Sequence, residues 1–170
     1  MAEATSTPLK KGWVRLRVEA CGICGSDLHA YRREIPVAVG ATPGHEISGS
    51  IENGPAGLLD TVYAIEPRVS CGRCDQCVSG NKHICVNGDF IGGSRTDMLR
   101  GGLADFIDIP EHNIYPADKR VPGLVVSASE PLAVGVRAIH LANLDVESRV
   151  LILGAGNIGL LAGLLARDRA

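Results

Sequence analysis

The sequence predicts a small, mostly β domain that leads into the first strand and helix of a parallel α/β fold. Three observations predict it. Short runs alternate apolar and polar residues between Gly and Pro breaks through the first 130 residues. A cysteine-rich excursion interrupts those runs. An apolar run near the end is followed by three glycines spaced G-x-G-x-x-G.

The alternating runs are Trp13 to Val18, Glu46 to Ile51, Thr61 to Ile65 and Ala104 to Ile109. Period-two alternation puts successive side chains on opposite faces, as in a half-buried strand. Apolar residues make up 45 % of the 170-residue chain, enough for a core, and 21 glycines supply turns. Residues 1–10 read as a disordered tail, residues 11–130 as the β domain, residues 131–148 as a connecting helix and residues 149–170 as the start of the second unit. On the helix, Ala133, Val136, Ala138 and Ile139 are the expected apolar positions.

A net charge of −2 argues against a nucleic-acid partner, since such proteins are usually basic. No uninterrupted apolar run reaches the ~20 residues of a membrane span, and the start, MAEATSTPLKKGWVRLRV, has no hydrophobic signal region. The expectation is a cytoplasmic protein, where cysteines serve metals or chemistry more often than disulfides.

Cys71, Cys74, Cys77 and Cys85 read C-x2-C-x2-C-x7-C. Such spacing lets four thiolates converge on one ion, and zinc takes four sulfur ligands in a closed tetrahedron. A closed shell leaves no position for substrate, so this lobe is structural. An iron–sulfur cluster is the rival, because the first three cysteines match a ferredoxin run. His83 lies in the lobe, but four thiols already complete a shell.

The other two cysteines lie in EACGICGSDLHAY, upstream of TPGHEISG. Cys24 and His45 could form a mixed sulfur–nitrogen site with an open position. Glu46 could ligate or stand behind the ligands, and Asp27 could hold the free ring nitrogen of His45. Cys21 is read as a packed residue, with a Cys21–Cys24 redox pair as the alternative.

At the end of the chain, Val150 to Leu153 suits a buried parallel strand. Gly154, Gly156, Asn157, Ile158 and Gly159 form the fingerprint that admits a dinucleotide pyrophosphate at a helix N-terminus. The acidic residue that would bind the ribose is expected about 20 residues further on, beyond Ala170.

In combination, C-G-S-D-x-H, then G-H-E, the four-cysteine run and the glycine fingerprint resemble the zinc-dependent medium-chain alcohol and polyol dehydrogenases. GHEISG and SEPLAVG are most similar to the sorbitol- and threonine-dehydrogenase-like branch, and the resemblance covers about residues 10 to 170. It implies a GroES-like catalytic domain with a zinc-binding cysteine lobe, followed by the first βα unit of a Rossmann domain.

The resemblance also implies two zinc ions per chain, NAD or NADP as cofactor, and a small alcohol or polyol as substrate. Cys24 and His45 fall on the catalytic zinc ligands. Glu46 falls on the acidic neighbour or alternate ligand, and Glu130 falls where this branch places a glutamate on the metal or its water. Ser26 and His29 fall on a proton relay. Tyr31, Phe90, Ser94 and Arg95 are placed near the pocket wall by position. Measured against that family, the chain reads as truncated at both ends, so the isolated residues are expected to be inactive. A homo-oligomer is expected of a full-length parent. The rival from another class is a zinc-stabilised module without chemistry.

Overall fold

The structure, a computed structural model, describes residues 8–58, 60–93 and 100–168. Its centre is a five-stranded sheet made of β1 (Trp13–Gly22), β2 (Glu46–Asn53), β3 (Val62–Ile65), β6 (Phe106–Pro110) and β7 (Ile114–Pro116). The strand order is β6-β1-β2-β3-β7, and every pairing is antiparallel. Two short strands, β4 (Arg68–Val69) and β5 (Asp89–Phe90), form a separate antiparallel pair.

The alternation seen in the sequence decides which face is buried. Val14 and Leu16 of β1, Ile47 of β2, Tyr63 and Ile65 of β3, and Ile107 and Ile109 of β6 form one core with Ile91 and Ile114. Each fully buried aliphatic side chain contributes ~1.5–3 kcal/mol, and Leu16→Ala would cost ~2–5 kcal/mol. On the other face, Arg15 reaches across to Asp108 through two bonds of 2.7 Å. The β1–β2 register shifts between Arg15 and Leu16 and again between Val18 and Ala20. Such bulges bend a strand and re-aim the chain beyond them, and here the bent end leads directly to Cys24.

Four of the expected strands are present, with β1 running four residues past its predicted end at Val18 and β2 two past Ile51. Two expectations are corrected. The connecting helix, expected from Pro131, begins at Ser129 and ends at Ala142 as α4. Asn143 takes the left-handed conformation (φ 48) that closes helices. Ala133, Val136 and Ala138 are exposed, while Pro131 and Gly135 are buried. Gly135 is buried because, lacking a side chain, it lets Leu165 of the last helix approach.

Val150 to Leu153 forms no strand ladder among the described residues, and Leu151 and Leu153 are 83 % and 89 % exposed. A parallel strand is made by its neighbours as much as by its own residues, and no described strand lies beside it. The helix that follows the glycines is present as α5 (Asn157–Arg167). A preceding short helix, α3 (Gly123–Val126), lies on β1, β2 and β3, tied down by the Ser48 hydroxyl donating to the Gly123 carbonyl at 2.7 Å.

The stretch Gly123–Ala142 is long and apolar enough to cross a membrane by length and composition alone. It packs against the sheet and against α5.

Candidate metal centres and nucleotide turn

The cysteine excursion is framed by the β4–β5 pair and contains the short helix α2 (Asp75–Val78), which starts at Cys74. The four Sγ atoms of Cys71, Cys74, Cys77 and Cys85 gather within 4.8 Å of one another. The contacts Cys74–Cys77, Cys74–Cys85 and Cys71–Cys77 measure 3.5, 3.8 and 4.0 Å. A tetrahedron with Zn–S bonds of ~2.3 Å has edges of about 3.8 Å, so the thiols fit one zinc ion. An iron–sulfur cluster divides the four thiolates between two or four irons, which would spread the sulfurs wider.

Backbone amides favour anionic sulfur at Cys71 and Cys74, while burial raises the Cys77 thiol to about 11. Amides of Arg73 and Cys74 face the Cys71 thiol and pull its pKa down to about 6. Arg68 holds the lobe to β4 by donating to the Cys85 carbonyl at 3.0 Å.

The second centre is assembled from two loops. Cys24 caps the short helix α1 (Gly25–Tyr31), while His45 and Glu46 sit where the next segment enters β2. The ligand atoms of Cys24, His45 and Glu46 lie within 4.8 Å of one another. His45 and Glu46 are buried, each 8 % exposed, and Cys24 is partly buried.

Glu130, in the first turn of α4, faces this group from outside it. Burial raises its pKa, His45 opposes that shift, and Glu46 adds to it. Sulfur, imidazole and carboxylate together make a donor set suited to zinc, and three protein ligands leave a position open.

Asp27 does a different task from the one the sequence suggested. Its carboxylate does not hold the His45 ring. One oxygen accepts the Cys24 N–H at 2.8 Å and the other accepts the Gly44 N–H at 3.3 Å. It therefore clamps the backbones that carry two of the candidate ligands. Gly44 has φ +97, and a Cβ there would stand 2.6 Å from Cys21 Sγ. Cys21 lies outside the ligand group and packs against the core. Burial pushes its thiol up to about 11, helped by Asp27 and Glu46.

Beside His45 opens a pocket. Ser26, Asp27, Ala30, Ile35, Val37, Pro43 and Phe90 line it. Phe90 meets the His45 ring edge-on, with centroids 5.4 Å apart. His29 follows Ser26 by three residues on the same face of α1, and it lies toward solvent. Tyr31 is 88 % exposed and does not line the pocket. Ser94 and Arg95 lie outside the described residues. Sequence reasoning missed the apolar walls Ile35 and Val37, whose only signal was a Pro- and Gly-punctuated loop.

In the nucleotide turn, Gly154 takes φ +105, and α5 is capped by Gly156. Nothing lies within 4 Å of a Cβ built at Gly156, whereas one at Gly159 would meet the Gly154 carbonyl at 2.0 Å. The second glycine thus presents open backbone, and the third permits the helix to close on the turn.

Residues 10–119 match the alcohol dehydrogenase GroES-like domain. This chain belongs to that dehydrogenase family. Among curated relatives of this chain, L-idonate 5-dehydrogenase from Vitis vinifera is 35 % identical over 91 % of the chain and 43 % of its own length. Galactitol-1-phosphate dehydrogenase from Escherichia coli superposes with a TM-score of 0.86 at 32 % identity, over 98 % of this chain and 49 % of that one. A zinc-binding dehydrogenase from Sinorhizobium meliloti 1021, solved with NADP bound, gives a TM-score of 0.85 at 32 % identity, over 96 % and 48 %. The chain therefore spans a little under half the length of these relatives. The GroES-like fold of its β domain is thereby established.

Proposed function

We propose that this chain is the catalytic portion of a zinc-dependent, NAD(P)-linked dehydrogenase of secondary alcohols or polyols. The observation that carries the proposal is the convergence of Cys24, His45 and Glu46 beside a pocket that His45 and Ser26 both line. Zinc, when bound, supplies Lewis acidity to the substrate hydroxyl, and the nicotinamide accepts hydride.

The chain's own residues do the rest. Cys24, His45 and a carboxylate from Glu46 or Glu130 hold the metal, with Asp27 fixing the first two segments. Ala30, Ile35, Val37 and Phe90 exclude water around the substrate's carbon skeleton. The Ser26 hydroxyl takes the proton that leaves the substrate, and His29 passes it to solvent. Cys71, Cys74, Cys77 and Cys85 hold a second zinc that stiffens the lobe. Gly154, Gly156, Asn157, Ile158 and Gly159 form the pyrophosphate contact.

In this reading residues 11–130 are the catalytic domain, 131–148 the connection, and 149–170 the beginning of the nucleotide unit. A cytoplasmic location and a homo-oligomer of a longer parent accompany it.

Hydride transfer requires the nicotinamide held at near-contact distance from the substrate carbon. Among the described residues the nucleotide unit contributes a single helix, so the 170 residues alone bind zinc but do not turn over. A full-length parent oxidises secondary alcohols with NAD(P). The test assays both polypeptides, zinc-loaded, against a panel of secondary alcohols and polyols. An inactive parent, or a Cys24→Ala parent with undiminished activity, would refute the assignment.

A further inference from the structure

After α1 the chain turns back on itself. Arg33 sits at φ 61, a left-handed conformation uncommon outside glycine. The Glu34 N–H donates to the His29 carbonyl at 2.9 Å. This closed turn returns the Glu34 side chain onto the histidine ring, where its Oε2 meets His29 Nδ1. The two side chains are 48 % and 57 % exposed, so the contact adds little stability. Its chemical consequence is larger. An ionised carboxylate can only accept hydrogen bonds, so the nitrogen facing it must carry the proton. Nε2 is then the bare, basic nitrogen of the neutral ring. An unpartnered histidine in a peptide favours the opposite tautomer.

We infer that Glu34 is a positioning residue that selects the Nδ1–H tautomer of His29, keeping Nε2 free to accept a proton arriving through Ser26. The inference rests on the reading of Ser26 and His29 as a proton relay. The transfer balances. Ser26 gains the substrate's proton and gives its own to Nε2, and the resulting imidazolium faces the Glu34 carboxylate. Loss of the Nε2 proton to solvent restores the starting state, and no electrons move. Arg33 sets the turn and Glu34 sets the ring, and neither touches the substrate pocket.

The test is proton–nitrogen multiple-bond correlation spectroscopy on the isotope-labelled 170-residue chain, in alkaline buffer where imidazole is neutral. The chain has five histidines, and comparison with His29→Gln assigns the relevant signals. The wild-type ring is expected to show the Nδ1–H pattern. Glu34→Ala is expected to reverse it to predominantly Nε2–H with unchanged circular dichroism. Glu34→Gln, whose side-chain oxygen still accepts a hydrogen bond, is expected to rescue the wild-type pattern. A wild-type Nε2–H ring, or a Glu34→Ala ring identical to wild type, overturns the inference. The tautomer is read without metal, cofactor or turnover, so this failure is distinct from failure of the dehydrogenase assignment.

Discussion

Gly22 lies directly opposite Glu46 in the β1–β2 ladder, and a Cβ on Gly22 would stand 2.1 Å from Glu46 Oε2. The carboxylate beside the candidate metal centre therefore occupies the space that any other residue at position 22 would fill. Gly22→Ala is expected to displace the Glu46 side chain and weaken metal binding at this centre, leaving the four-thiol lobe loaded. Overpacking of this kind costs ~1–3 kcal/mol. Titration of each centre with a chromophoric chelator, beside a urea melt, checks both effects.

Asp27→Asn removes the charge from a clamp that holds the Cys24 and Gly44 amides. Hydrogen bonds to a charged group contribute ~1.5–3 kcal/mol. The substitution is expected to lower the urea midpoint and to loosen the ion held by Cys24 and His45. The metal in the cysteine lobe should stay bound, which separates a local effect from general unfolding.

Cys21 supplies a pH dependence. Its folded-state pKa is raised from 9.0 to about 11, chiefly by burial. A raised pKa means that the folded state holds its proton more tightly than the unfolded chain. The associated stability is complete below the unfolded value and is lost as pH rises from about 9 through about 11. Stability of wild type should decline across that window more steeply than that of Cys21→Ala. At neutral pH, alkylation followed by mass spectrometry should modify Cys21 only after denaturation.

Much of this architecture is legible in the residues because its physics is local. Val14 and Leu16 announce a buried strand face by alternation, and Cys71, Cys74, Cys77 and Cys85 announce convergence by spacing. What was illegible depends on the path of the backbone or on neighbours. Asp27 is engaged by two amides, one of them seventeen residues away, and no motif specifies that route. The Glu34–His29 contact needs the left-handed turn at Arg33. Ala133 and Val136 read as apolar positions of the helix, yet the last helix packs at Gly135 and leaves them exposed. Val150 to Leu153 has the composition of a strand but no described strand to pair with.

Metal content per chain tests the central claim most directly. Elemental analysis of purified, zinc-reconstituted protein should give two zinc ions, with one lost in Cys24→Ala and the other in Cys74→Ala. A single zinc that survives Cys24→Ala would contradict the account, because the sulfur–imidazole–carboxylate group would then hold no ion.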